Sequence, residues 1–216
     1  MINTFLFDLD GTLTDPKIGI TKSVQYALES FDIIIKDLDD LLCFIGPPLR
    51  QSFKDFYGFN DENIEKAVEK YREYFIPKGI YENTMYAGID TVLKELSDTG
   101  KTLMIATSKP TILAKTVLSH FDLEKYFVFI SGSEMDGVRS DKSEVIQYAV
   151  EQNNITDLSG CIMIGDRKHD IIGAKTVGIK SIGVLYGYGD YDEMAKAGAD
   201  YIIKDVTELS ALLDSL

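Results

Sequence analysis

Short apolar runs recur along the chain and alternate with longer stretches in which apolar residues return at helical spacing. Such runs are typical of strands covered on both faces of a parallel sheet, where nearly every side chain is apolar. They lie at 4–7, 102–106, 127–131, 161–164, 181–184 and 201–203. Helices are predicted near 88–98, 110–119, 141–152, 168–177 and 191–197. The alternation predicts an α/β fold, a parallel sheet with helices on both faces.

One segment, residues 16–81, interrupts this alternation. It carries no strand pattern, and apolar residues return at helical spacing in 17–30 and 61–76. Gly46-Pro47-Pro48 separates two shorter helical pieces. The insertion is about 65 residues long, the size of a small subdomain. We therefore predict two domains, an α/β core of residues 1–14 and 82–216 and an inserted all-α cap of residues 15–81.

Composition restricts the function classes that remain open. The chain has 216 residues, of which 45% are hydrophobic and 26% are charged, as in ordinary globular proteins. A net charge of −13 argues against a nucleic-acid polymer as partner, and no apolar stretch has membrane-spanning length. Cys43 and Cys161 lack metal-ligand spacing, so we expect buried thiols in a cytoplasmic protein.

The candidate chemistry begins where the first predicted strand ends. Asp8 and Asp10 follow that strand, two residues apart, and precede Gly11-Thr12. Side chains at i and i+2 of an extended chain point the same way, so both carboxylates can crowd one small site. Such crowding is costly unless a cation or a shared proton relieves it. A bare pair reads as a solvated acidic turn, but the buried strand and the turn-forming glycine favour a site.

Polar side chains also mark the ends of later strands and the starts of helices. Thr107 and Ser108 precede a helix whose N-terminus can help to bind a phosphate oxygen. Lys142 begins another helix, where a cation opposes the helix dipole. Asp166 and Asp170 lie on one side of a helical turn and can ligate or orient a hard cation. Taken singly, these residues also read as helix caps or solvated charges.

Taken together, these motifs resemble those of the haloacid dehalogenase superfamily. Residues 8–12 read Asp-x-Asp-Gly-Thr, like its first motif, and residues 165–170 read Gly-Asp-x-x-x-Asp, like its fourth. The resemblance covers the whole chain and the motifs occur in the family's order. It implies a Rossmann-like core and a helical cap inserted after the first strand.

The resemblance also implies roles for the first two motifs. Asp8 would attack phosphorus and form an aspartyl phosphate, and Asp10 would act as general acid and then as general base. A carboxylate nucleophile can divide a slow phosphate hydrolysis into two easier steps. The family's second motif is a Ser or Thr at a strand end, which selects Thr107 and leaves Ser108 as the alternative.

The third and fourth motifs complete the implied site. The family's third motif is a Lys or Arg that pairs with the nucleophile, which selects Lys142 and leaves Arg139 as the nearest competitor. The family's usual Gly-Lys-Pro surroundings are absent around Lys142. A Mg²⁺ site would then be formed by Asp8, the Asp10 backbone carbonyl, Asp166 and the supporting carboxylate of Asp170.

The predicted function is a Mg²⁺-dependent phosphatase acting on small phosphorylated metabolites, as a monomer or homodimer. The runs at 13–20, 45–49 and 165–170 resemble the 5′-nucleotidase-like group more than the phosphoglycolate phosphatase branch. Arg50 of the cap is a candidate substrate contact, since its guanidinium can fork onto a phosphate or carboxylate, although a surface role is equally consistent. A sugar phosphomutase shares the first motif and stays open. A non-hydrolytic phospho-acceptor signalling domain is a remote alternative.

Overall fold

A parallel sheet of six strands forms the centre of the protein in a computed structural model that describes residues 2–213 and 215. Its strands are β1 (Thr4–Phe7), β4 (Thr102–Pro110), β5 (Phe129–Ser133), β6 (Cys161–Gly165), β7 (Lys180–Val184) and β8 (Tyr201–Ile203). Their order in the sheet is β5-β4-β1-β6-β7-β8. Two short strands, β2 (Thr14–Asp15) and β3 (Thr84–Met85), pair separately.

Helices alternate with the strands along the chain, and the predicted α/β class is confirmed. They are α1 (Lys17–Glu29), α2 (Leu49–Tyr57), α3 (Asp61–Phe75), α4 (Ile89–Asp98), α5 (Thr111–His120), α6 (Lys142–Gln152), α7 (Lys168–Val177), α8 (Tyr191–Ala197) and α9 (Val206–Leu213). Single-turn or short 3₁₀ helices occur at Leu38–Phe44, Gly79–Tyr81, Glu124–Tyr126 and Leu158–Gly160. Within the described part of the chain, none of the helices has the length and apolar character needed to cross a membrane.

The chain divides into two compact units. One contains Met1–Asp15 and Met85–Leu216, and the other contains Pro16–Thr84. The second unit holds α1, α2 and α3. Its interior is aromatic: Phe53 is fully buried, lies edge-on to Phe44 at 5.1 Å between ring centroids and stacks on Phe59 at 5.9 Å. Gly58 ends α2 in the left-handed conformation that glycine adopts without a Cβ penalty.

Strand β1 occupies the middle of the sheet and sets the level at which its neighbours end. Phe7 pairs with Ile105 of β4 on one side and with Ile164 of β6 on the other. The Asp8 N–H then donates to the Ile164 carbonyl at 2.9 Å. Since all three strands are parallel, the residues that follow them emerge at one edge of the sheet, where ligand sites of α/β folds lie.

Several predicted boundaries differ from the structure. The strand predicted at 127–131 runs instead from Phe129 to Ser133. Phe127 is not in the strand because it ends the Glu124–Tyr126 turn, where its N–H donates to the Glu124 carbonyl. Strand β4 continues past residue 106 to Pro110, so the helix predicted from 110 begins at Thr111. The paired strands β2 and β3 were not predicted, since two-residue strands carry no periodic pattern. Helix α9 was not predicted either.

Leu6 tests how strongly the sheet centre stabilises the fold. It is fully buried among Met104, Val145 and Met163. We expect Leu6→Ala to lower the free energy of unfolding by about 2–5 kcal/mol, because it removes apolar contacts and leaves a cavity. Urea denaturation of the full chain measures the change. Ile112→Ala, at a side chain 64% exposed, is the control and should cost less than about 0.5 kcal/mol.

Candidate active site

A tight turn after β1 carries the first two candidate residues, Asp8 and Asp10, both buried. Gly11 has φ +84° and its N–H donates to the Thr14 carbonyl at 2.7 Å, which folds the chain back. A Cβ at Gly11 would lie 2.2 Å from a carboxylate oxygen of Asp166. This position therefore requires glycine for both its backbone angle and the close approach of a second acidic side chain.

Lys142 lies between two carboxylates at the centre of the site. Its Nζ is 2.8 Å from Asp8 Oδ1 and 2.9 Å from Asp170 Oδ1, and it donates to the Ala106 carbonyl at 3.2 Å. Burial alone would lower the pKa of the Lys142 ammonium, but Asp170 and Asp8 outweigh burial and raise that pKa above its ordinary value. Lys142 is therefore a buried, charged group beside the candidate nucleophile.

The start of α6 holds Lys142 in this position. Asp141 caps the helix by accepting from the Ser143 N–H at 2.8 Å, and the Glu144 side chain accepts from the Asp141 N–H at 3.3 Å. On α7, a Cβ at Gly173 would lie only 3.0 Å from Cβ and Cγ of Lys142. The capping box and the bare glycine surface together orient the lysine stem towards the carboxyl edge of the sheet.

Asp166 and Asp170 follow β6 and are fully buried. Asp166 Oδ2 accepts from the Tyr188 N–H at 2.8 Å, and Asp170 Oδ2 accepts from the Arg167 N–H at 3.0 Å. Burial raises the pKa of Asp166 well above its ordinary value. Burial also raises the pKa of Asp170, to about 6, although Lys142 opposes the shift. For Asp166 and Asp170 alike, the larger cause is removal of the carboxylate from water, and the neighbouring Asp8 adds to the rise.

Three of these carboxylates are arranged as a candidate metal site. Asp8, Asp166 and Asp170 each offer an oxygen, and the three oxygens lie within 4.8 Å of one another. Apart from their ion pairs with Lys142, the Oδ1 atoms of Asp8 and Asp170 accept no hydrogen bond from any described residue. Hard divalent cations prefer such oxygen donors, so these residues fit Mg²⁺. The Asp10 side chain lies outside this triad.

Asp10 instead pairs with Lys109, a residue to which the sequence analysis assigned no role. Lys109 Nζ lies 2.5 Å from Asp10 Oδ2, and both side chains are largely buried. Burial raises the pKa of the Asp10 carboxyl, and Lys109 opposes that shift. The sequence offered one indication of such a role, which is that Lys109 follows the candidate Thr107 by two residues. The predicted strand ended at residue 106, however, so Lys109 was not placed on β4.

Thr107 and Ser108 both lie at the end of β4, and the choice between them stays open. Thr107 is buried, and its Oγ1 accepts from the Lys109 N–H at 3.3 Å. Ser108 Oγ is buried with no hydrogen-bond partner among the described residues. An unpaired buried hydroxyl is costly, so a ligand oxygen at Ser108 would satisfy a donor that the protein leaves free.

The two candidate arginines have other partners. Arg50, in the second unit, forms a bidentate pair with Glu65 at 2.8 Å for both contacts. Arg139 donates from Nε to the Gly132 carbonyl at 3.0 Å, pairs with Glu134 and lies 3.8 Å from the ring centroid of Tyr148. Among the described residues, Lys142 rather than Arg139 is paired with Asp8.

A loop after β7, which carries Tyr186, Gly187 and Tyr188, encloses Asp166. The Tyr186 hydroxyl donates to the Thr12 carbonyl at 3.1 Å, while the Tyr188 hydroxyl pairs with Asp15. A Cβ at Gly187 would lie 2.4 Å from Cβ of Asp166. The loop therefore joins the β1 turn to the acid that follows β6.

Residues 5–184 match the family model described as haloacid dehalogenase-like hydrolase, a span that includes each of the paired carboxylates and lysines above. The chain belongs to the haloacid dehalogenase-like hydrolase family. The resemblance seen in the four motifs is thereby confirmed.

Curated proteins that resemble this chain are named for different activities. A 5′-nucleotidase from Pseudomonas aeruginosa is 44% identical over 97% of this chain and 95% of its own. The tyrosine-protein kinase PtkA from Mycobacterium tuberculosis is 34% identical over 94% of this chain and 68% of its own. A phosphoglycolate phosphatase from Agrobacterium fabrum is 29% identical over 96% and 91%.

Solved structures of the family show the same fold. A crystal structure described as a predicted phosphatase from Clostridium acetobutylicum has a TM-score of 0.98 and 50% identity, and each chain covers 100% of the other. With the relatives above, this likeness confirms the expected enzyme class, a phosphatase of the haloacid dehalogenase-like family.

The acidic triad predicts a stabilising effect of Mg²⁺ that does not depend on activity. At a Mg²⁺ concentration a hundred times its dissociation constant, binding to the native state should add about 2.7 kcal/mol of stability. For a chain of this size that corresponds to a rise of roughly 5–10 °C in Tm by differential scanning fluorimetry.

Two variants test whether this stabilisation by Mg²⁺ depends on the acidic triad. Asp166→Asn should remove most of the rise, because it replaces an anionic ligand by a neutral amide. Asp192→Asn, whose side chain is 78% exposed, should retain the rise. Equal stabilisation of wild type and Asp166→Asn would contradict the assignment of the metal site.

Proposed function

We propose that the protein is a Mg²⁺-dependent phosphatase that hydrolyses small phosphomonoesters through an aspartyl phosphate on Asp8. The observation that carries this proposal is the surroundings of Asp8. Its carboxylate is buried at the end of the central strand, is ion-paired with Lys142 and lies beside the acids of the candidate metal site. A phosphate that reached this edge of the sheet would meet the Asp8 carboxylate, the Lys142 ammonium and the hydroxyl of Ser108, which has no hydrogen-bond partner among the described residues.

In the first step, an oxygen of Asp8 attacks phosphorus and the bond from phosphorus to the leaving oxygen breaks. Asp10 gives its proton to that leaving oxygen. The Lys142 ammonium and the hydroxyls of Thr107 or Ser108 hold the phosphoryl oxygens as charge redistributes. Asp8, the Asp10 carbonyl, Asp166 and Asp170 would hold Mg²⁺, which when bound would supply positive charge against the repulsion between carboxylate and phosphate.

In the second step, a water oxygen attacks the phosphorus of the aspartyl phosphate. Asp10, now a carboxylate, takes a proton from that water, and the bond from phosphorus to the Asp8 oxygen breaks. Inorganic phosphate leaves, Asp8 is again a carboxylate, and Asp10 is protonated again by the proton taken from water. One residue thus serves both half-reactions and no outside proton donor is required.

For the substrate, we propose 5′-nucleotides first and phosphoglycolate second. The support is the difference in similarity, 44% identity to the relative named 5′-nucleotidase against 29% to one named phosphoglycolate phosphatase. We propose further that residues 15–81 act as a cap and that Arg50 contacts the substrate. Its pair with Glu65 already has the fork geometry that a phosphate or carboxylate would use.

A substrate panel tests the proposed activity. Phosphate release with Mg²⁺ would be measured for several 5′-nucleotides, phosphoglycolate, sugar phosphates and pyrophosphate, and we expect the highest kcat/KM for a 5′-nucleotide. A highest value for phosphoglycolate would overturn the nucleotide assignment but keep the phosphatase. An isomerised sugar phosphate without phosphate release, detected by ³¹P NMR, would replace the phosphatase by a mutase.

Asp8→Asn tests the nucleophile. The amide is a poor nucleophile, so we expect kcat to fall by about a thousandfold or more, as it does when covalent nucleophiles are removed from other enzymes. Circular dichroism verifies that the variant is folded. Asp98→Asn changes an acid 62% exposed on α4 and should leave kcat unchanged. A rate near that of wild type for Asp8→Asn would contradict the covalent mechanism.

A further inference from the structure

The pair formed by Asp10 and Lys109 is closer than the contacts of Lys142, and both of its side chains are largely buried. Lys109 Nζ lies 2.5 Å from Asp10 Oδ2, with side chains 6% and 11% exposed. A charged pair with so little access to water is screened weakly, and loss of one partner leaves an uncompensated charge. The lysine therefore constrains where the carboxyl group of Asp10 can lie.

The backbone that carries Lys109 is itself held by strand β5. Ser133 Oγ donates to the Ser108 carbonyl at 2.8 Å, and Ser133 pairs with Pro110 in the sheet. A Cβ at Gly132 would lie 2.4 Å from the Lys109 carbonyl oxygen, so the two backbones are in direct contact. With neighbours anchored on both sides, Lys109 presents its ammonium from a fixed point.

The two oxygens of Asp10 differ in their surroundings. Oδ2 is bound to Lys109, whereas Oδ1 is buried and has no hydrogen-bond partner among the described residues. The other buried lysine of the site, Lys142, is paired with Asp8 and Asp170 instead. Each of the two lysines thus holds a different carboxylate of the Asp-x-Asp motif.

We propose that Lys109 is a positioning residue for Asp10. Its ammonium binds Oδ2 of Asp10, so that Oδ1 is the atom that transfers protons. The inference rests on the proposed phosphatase mechanism. In the first step the proton passes from Oδ1 to the leaving oxygen as its bond to phosphorus breaks. In the second step Oδ1 takes a proton from the water that forms the new bond to phosphorus.

The leaving group separates these two steps. p-Nitrophenolate is a stable anion that departs without a proton, so formation of the aspartyl phosphate from p-nitrophenyl phosphate does not need a well-placed Asp10. An alkyl leaving group needs the proton, and attack by water needs the base whichever substrate was used. Misplacing Asp10 should therefore slow turnover of both substrates but leave phosphorylation by p-nitrophenyl phosphate largely intact.

The test is stopped-flow kinetics of Lys109→Met in the full-length protein with Mg²⁺. With p-nitrophenyl phosphate we expect a burst of about one p-nitrophenol per active site, followed by a steady rate at least about tenfold below that of wild type. With an alkyl phosphate we expect the same loss of turnover and no burst of alcohol. Lys109→Arg should restore most of the rate, and Lys115→Met, at an exposed position on α5, should behave as wild type.

A second comparison shows whether Lys109 acts through Asp10. In an Asp10→Asn background, Lys109→Met should cause less than about a twofold further loss, because the residue that it positions no longer transfers protons. If Lys109→Met does not fold, Lys109→Gln, which keeps a hydrogen-bond donor, is measured in its place and must show the same burst.

Three results would overturn the inference. These are unchanged kinetics of the Lys109 variant, parallel loss of the burst and the steady rate, and a full additional loss in the Asp10→Asn background. A wild-type protein with no turnover of either substrate would overturn the proposed function and this inference with it. Wild-type turnover with any of the three results overturns the inference alone.

Discussion

The site depends on one buried ammonium group, that of Lys142, which lies between the carboxylates of Asp8 and Asp170 and connects the segments that carry them. The three residues come from the ends of β1, α6 and α7, so the ion pairs require a common position for a strand and two helices. Burying these charges separately would cost several kcal/mol each, and close pairing offsets much of that cost. Asp8, Asp166 and Asp170 also place three carboxylate oxygens within 4.8 Å of one another, and a divalent cation would relieve the repulsion among them.

Glycines make this density of charge sterically possible. A side chain at Gly165 would lie 2.1 Å from Cγ of Asp170, and one at Gly11 or Gly187 would overlap Asp166. Gly173 likewise leaves room for the stem of Lys142. These glycines occur on four separate segments around the site, and each removes a Cβ where a charged side chain must pass. The close packing of backbone against charge also excludes water, which strengthens the electrostatic interactions that phosphoryl transfer requires.

The strand order of the parallel sheet decides which groups lie on each side of Asp8. Because β1 lies between β4 and β6 in matched register, Asp8, the proposed nucleophile, emerges between the hydroxyls that follow one neighbour and the candidate metal ligands that follow the other. Lys142 and Lys109 then approach different carboxylates of the same motif, and the proposed nucleophile and the proposed acid–base group acquire separate cationic partners. Such an arrangement lets two acids only two residues apart perform different chemistry.

Local pattern was sufficient for much of this account. The strands at β1, β4, β6, β7 and β8 and the five helices predicted between residues 88 and 197 follow from periodicity, a property of neighbouring residues. The family's four motifs were assigned through resemblance, on polar residues that mark strand ends and helix starts. The course of residues 127–133 was misjudged by two positions, because the Phe127 N–H closes the preceding turn by donating to the Glu124 carbonyl, a bond that no periodicity reveals. The partner of Asp10 is a stronger case. Lys109 lies 99 positions away in sequence, and the pair forms because β4 continues beyond its apolar run and β5 anchors that extension. Long-range contacts of this kind depend on strand order, register and side-chain reach, which exist only once the sheet has assembled.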